Sequence, residues 1–93
     1  MSKTAKCERT GKHIPIDECY FTADPISGEW EFICKDAPKK AGEYNVPVAD
    51  LIKSPEALCD WLAHLSEKTW FDPKKFFGFF HRFRKANNLF HSL

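Results

Sequence analysis

Residues 19–34, CYFTADPISGEWEFIC, constrain the fold of this chain more than any other segment. Two runs rich in aromatic and β-branched residues flank Asp24-Pro25-Ile26-Ser27-Gly28, a cluster of turn formers. That pattern reads as a β-hairpin. A turn centred between Ile26 and Ser27 sets Phe21 opposite Phe32, Ala23 opposite Trp30 and Cys19 opposite Cys34. Side chains alternate across a strand, so these six share one face, which is the expected core. Tyr20, Thr22, Glu31 and Ile33 take the other face.

The remaining segments arrange themselves around this hairpin. Residues 35–42, KDAPKKAG, read as a polar loop, and Glu43 to Val46 as a short third strand. Pro47 has no N–H for a ladder, which makes this an edge strand or a strand end. Ser54-Pro55-Glu56 is a helix start: a capping hydroxyl, proline at the first helical position and an acid near the positive end of the dipole. Leu58, Trp61, Leu62, Leu65 and Thr69 follow at helical spacing. Asp72-Pro73 repeats the start signal, and a second helix is expected from Pro73 to about Leu89. Its Phe76, Phe79, Phe80, Phe83, Ala86 and Phe90 fall within roughly 120° of arc. The expected fold is therefore α+β. A three-stranded antiparallel sheet, made of the hairpin and an edge strand, is packed by two C-terminal helices, antiparallel or steeply crossed. The 93 residues suffice for one domain. Within it, 1–6 are expected to be flexible, 7–48 to form the sheet half and 54–91 the helical half.

Composition narrows the function class. Hydrophobic residues make up 43% and charged residues 29%, the balance of a soluble globular chain. No apolar run approaches the roughly 20 residues that span a bilayer, and MSKTAK has no apolar stretch after its lysines. A cytoplasmic location is expected, and there the four cysteines are thiols or metal ligands rather than disulfides.

Catalytic patterns are missing. The glycines form no phosphate loop, there is no nucleophile elbow, and His13, His64, His81 and His91 show no metal-pair spacing. A non-enzymatic protein without a cofactor is expected. A zinc site remains the alternative. Cross-strand pairing sets Cys19 beside Cys34, and Cys7 with His13 would complete a tetrahedral set. The spacings, with 11 and 14 intervening residues and no C-x-x-C, leave the competing reading of Cys19 and Cys34 as small core side chains.

The C-terminal helix carries the other signal. Residues 1–53 hold 8 basic and 9 acidic side chains, residues 54–93 hold 6 and 4. From Pro73 onward there are five basic residues, Lys74, Lys75, Arg82, Arg84 and Lys85, and no acidic one. One-signed charge on a nearly neutral chain points to an anionic partner surface, against the plainer reading of a solvated helix face. Gly78 lies at the centre of the basic face. Phe77 stands outside the core stripe, beside His81, Arg84 and Asn88, in the aromatic-plus-arginine composition of interface anchors and of base-stacking sites. Lys35, Lys39 and Lys40 would widen the basic surface if their loop lies nearby. Membrane-surface binding is set aside, because the apolar face of the helix is needed to cover the sheet.

The segments CERTGKHIP, CYFTADPISGEWEFIC, YNVPVADL (residues 44–51) and SPEALCDWLAHLSEKTWFDP, in this order, resemble small proteins encoded by tailed phages and prophages. Anti-CRISPR inhibitors are a prominent group among these. The resemblance implies a stoichiometric inhibitor of a host nucleic-acid-handling complex, such as a CRISPR surveillance complex, acting by steric occlusion. Its partner would be a host protein or ribonucleoprotein, with contact to nucleic-acid backbone as a further expectation. Two rival readings stand beside it: a direct nucleic-acid-binding module, zinc-stabilised or not, and a phage structural or assembly factor using Phe77 and the edge strand to self-associate.

Overall fold

A computed structural model of the chain describes residues 4–87. In order these form β1 (Thr4–Lys6), β2 (His13–Pro15), a 3-10 turn (Ile16–Glu18), β3 (Cys19–Ala23), β4 (Trp30–Cys34), β5 (Tyr44–Pro47), α1 (Val48–Ile52), α2 (Pro55–Ser66) and α3 (Pro73–Asn87). The fold is α+β: a three-stranded antiparallel sheet ordered β4-β3-β5 and a separate two-stranded sheet of β1 and β2.

The hairpin has the register that its alternation dictates. Cys19 faces Cys34, Phe21 faces Phe32 and Ala23 faces Trp30. Its turn is locked by polar atoms of its own. Asp24 Oδ1 accepts from Ile26 N at 2.8 Å, and Gly28 N donates to the Asp24 carbonyl at 2.7 Å. Gly28 sits at φ +73°, in the left-handed region that a Cβ disfavours. β5 pairs with the far side of β3, where Phe21 faces Val46, so β3 is central. Pro47 ends this outer strand, where its missing N–H leaves no ladder bond unmade.

Both helix starts form as the sequence prescribes. Ser54 Oγ accepts from Ala57 N at 3.0 Å, and Asp72 Oδ1 accepts from Lys74 N at 2.9 Å. α3 lays its phenylalanines over the hairpin face. The Phe21 ring meets Phe79, Phe80 and Phe83 at centroid distances of 5.1, 5.8 and 5.1 Å, edge to face in each case. Trp30 meets Phe76 at 4.9 Å, and Phe32 stacks on Phe83 at 4.4 Å. Each such pair contributes about 0.5–1.5 kcal/mol beyond area burial, and removing the apolar rings from water stabilises the fold by more than this.

Four features differ from the sequence expectation. The segment 1–6 is not wholly loose, because Thr4–Lys6 pairs with His13–Pro15 in a small hairpin. That hairpin covers one end of the second sheet face. Ile33, expected at the surface, is thereby buried with Cys7, Cys34 and Ala37 in a second apolar cluster. The linker 48–52 is a helix: α1 starts after Pro47 and buries Val48 and Leu51 completely. Its presence alters the helix packing, because α2 lies mainly on α1 while α3 lies on β4, in place of a close α2–α3 pair. Finally, α2 ends at Ser66, so Thr69 is exposed and plays no part in the stripe, of which Leu65 is fully buried and Leu58, Trp61 and Leu62 half-buried. The side chain of Ala86, and Asn88, Leu89, Phe90 and His91, lie outside what is described.

Candidate functional site

α3 turns its basic side toward the start of β4, and the two elements enclose a groove of about 380 Å3. Lys74, Lys75, Gly78, Phe79 and Arg82 line it from the helix, Glu29 and Trp30 from the hairpin. Gly78 occupies its floor. A Cβ there would meet nothing within 4 Å, so no contact inside the chain calls for glycine. Glycine nonetheless costs about 0.5–1 kcal/mol relative to alanine in a helix interior.

The groove is less purely basic than the helix sequence implies. Lys75 Nζ donates to the Ser27 carbonyl at 2.9 Å and lies 3.3 Å from Glu29 Oε1. Both side chains of this ion pair are well exposed, 44% and 73%, so it contributes at most about 1 kcal/mol. Its effect is to fix Lys75 against the hairpin turn. Arg82 acts on a second acid. Burial, reinforced by the charge of Glu31, holds the Glu8 carboxyl above its ordinary range, while the Phe32 backbone contact and Arg82 pull the other way. A hairpin acid, Glu29, therefore sits among the helix cations, which sequence order on α3 alone cannot reveal.

The other expected contact residues divide into two groups. Lys74 and Lys85 are exposed on α3, Arg84 is half-buried, and Phe77 is 49% exposed with its ring 5.5 Å from Phe76. Of these, Lys74 lines the groove, whereas Phe77, Arg84 and Lys85 lie on α3 outside its lining. Lys35, Lys39 and Lys40 do not extend it. Lys35 pairs with Glu18, Lys39 borders a small cavity with Tyr20, Ile33 and Asn45, and Lys40 borders a second concavity together with Thr22 and Glu31. Tyr20, Thr22, Glu31 and Ile33 mark the sheet face turned away from α3 (Phe21 and Phe32 face the helix).

That second concavity, about 560 Å3, is organised by Arg9. Its guanidinium donates to Glu31 Oε2 at 2.8 Å, to Glu43 through two nitrogens, and to the Pro38 carbonyl. The Arg9 and Glu43 side chains are only 10% and 9% exposed. The hydrogen bond from Arg9 holds the Glu43 carboxyl below its ordinary range, and Arg9 in turn is raised, chiefly by Glu43. The clamp ties the first hairpin to β4 and to the approach of β5. Its partners are 22 and 34 residues away along the chain, and no local pattern announces it.

The zinc candidates do not assemble as a set. His13 is exposed on β2, and among the described residues no group of three or more His, Cys, Asp or Glu is arranged to hold a metal. Cys19 Sγ donates to the Pro15 carbonyl at 3.1 Å, and burial, with the neighbouring Cys34 and Cys7, pushes this thiol up to about 12. Cys7 and Cys34, however, lie side by side. Burial pushes the Cys7 thiol up, but hydrogen bonds from Thr10, Cys34 and Arg9 outweigh it and bring the thiol down to about 7.

Compared with protein-family models, with curated proteins and with solved structures, the chain matches none. No helix among the described residues is long and apolar enough to cross a membrane.

Proposed function

We propose that this protein works by stoichiometric binding, docking the groove side of α3 on an anionic partner surface without turnover. The observation that carries the reading is the groove floor. Gly78, which no contact inside the chain calls for, lies between Lys74, Lys75 and Arg82, and Phe77 is half-exposed elsewhere on the same helix. A bare helix-stabilising alanine would be the better choice if nothing approached that spot. Cations around a shallow, open spot, on a helix that also exposes an aromatic side chain, are the elements of an interface.

The interleaved acid favours one kind of partner. Glu29 beside Lys75 weakens the attraction to a bare phosphate backbone. Against a protein surface of mixed charge the same acid supplies complementarity. A host nucleic-acid-handling complex fits better than free nucleic acid. The phage-like order of segments makes a guide-loaded CRISPR surveillance complex the specific target proposed, with inhibition by steric occlusion.

The test is a binding panel with the purified chain. Guide-loaded surveillance complexes of several types form one arm; free duplex DNA, single-stranded DNA and RNA at low salt form the other. The reading expects binding in the first arm and none of comparable strength in the second. Strong binding to free nucleic acid that falls steeply with salt would replace it by the direct nucleic-acid reading, since neutralising several phosphates produces such a slope. No binding in the first arm would reject the surveillance complex as target.

A further inference from the structure

Cys7 and Cys34 each open a tight turn, and the two turns abut. In the first, Cys7 N donates to the Lys12 carbonyl at 2.8 Å and Gly11 N to the Cys7 carbonyl at 2.9 Å, with Gly11 at φ +74°. Thr10 N points at Cys7 Sγ from 3.4 Å. In the second, Ala37 N donates to the Cys34 carbonyl at 3.0 Å. Contact between the turns runs through the sulfurs: Cys34 N donates to Cys7 Sγ at 3.3 Å, and Thr10 Oγ1 lies 3.8 Å from Cys34 Sγ.

Thr10 follows Cys7 by three positions, and Ala37 follows Cys34 by three. The chain thus reads C-x2-T and C-x2-A where a four-thiolate zinc site reads C-x2-C twice. Thr10 touches both sulfurs, and Ala37 is buried in the same apolar cluster as Cys7 and Cys34. Backbone N–H groups aimed at a sulfur favour the thiolate, the form that binds metal. Cys7 has two such donors, Thr10 N and Cys34 N. A small cavity is bordered by Cys34, Ala37, Lys35 and Lys39.

We propose that Cys7 and Cys34 form a two-thiolate site at the paired turns and hold one soft d10 cation of the copper(I) kind between them, Thr10 and Ala37 standing at the two corners that a four-thiolate site would fill. Two thiolates without further ligands suit a soft monovalent ion and are too few for zinc, which requires four donors. On binding, each thiol releases its proton to water and each sulfur supplies an electron pair. Cys19, whose thiol is engaged with the Pro15 carbonyl, is not a ligand.

The experiment titrates the full chain with copper(I) under anaerobic, reducing conditions against a chromophoric copper(I) chelator. One ion per chain is expected, with affinity reduced at least tenfold in Cys34→Ser and unchanged in Cys59→Ser. No retention against the chelator, or retention that survives Cys34→Ser or needs Cys59, overturns the proposal. Because Cys34 is buried, a gain-of-ligand variant guards against misfolding. Thr10→Cys/Ala37→Cys is expected to take one cobalt(II) ion with the intense visible absorption of tetrahedral thiolate coordination. Failure to do so overturns the assignment of the corners.

Discussion

At the scale of single residues, the strongest polar commitment is the Arg9 clamp, and it yields the sharpest stability prediction. Removing one partner of a part-buried, hydrogen-bonded ion pair leaves the other charge short of partners, at a cost on the order of 1–3 kcal/mol. Arg9→Ala should lose about that much in urea unfolding, and Arg9→Met/Glu43→Gln should recover a large part of it. A loss below about 1 kcal/mol would mean that water already solvates Glu43. The cysteines give a pH signature of opposite signs. Cys7 titrates at about 7 when folded against an ordinary 9, so its contribution is fully present above pH 9 and is lost as the pH falls through 7. Cys19 titrates at about 12, so its contribution is full below pH 9 and is lost as the pH rises through 12. The ultraviolet thiolate absorbance of Cys59→Ser protein should therefore rise in a first step near pH 7. A single step at pH 9 or above would contradict the hydrogen-bonded Cys7. Neither feature was legible in the sequence. Arg9 finds its acids across 22 and 34 residues, and the two turns meet only because the first hairpin folds over the end of β4.

At the scale of elements, legibility follows periodicity. The β3–β4 hairpin was readable to the residue because a two-residue alternation and a strong turn each dictate the same register. α2 and α3 were readable from Ser54-Pro55 and Asp72-Pro73, whose capping oxygens are in place. β1 and α1 were not, because segments of three and five residues are too short to express a period. For the candidate site, Gly78 and the cations of α3 were visible on the helical wheel, whereas Glu29 arrives from the hairpin. Gly78 is also where the binding reading and helix stability separate. Gly78→Ala should raise stability by about 0.5–1 kcal/mol. Gly78→Leu should fold equally well, since space there is open, yet fill the groove floor and block docking. Unfolding midpoints and partner binding measured on the same samples check both. A Gly78→Leu protein that binds normally would show that the groove is not used.

At the scale of the whole molecule, the charges of a nearly neutral chain gather at two places. The α3 side gathers cations around Gly78, and the opposite sheet face gathers Glu8, Glu31 and Glu43 around Arg9. One face is built to be held together internally, the other has its charges at the surface. The most direct test of that division is the affinity of Arg82→Glu/Lys85→Glu protein for a guide-loaded surveillance complex that binds the unaltered chain, with circular dichroism and thermal unfolding as the control of fold. The account predicts an unchanged fold and a loss of affinity of at least tenfold. Undiminished binding by the charge-reversed protein would contradict it and move the docking surface off α3.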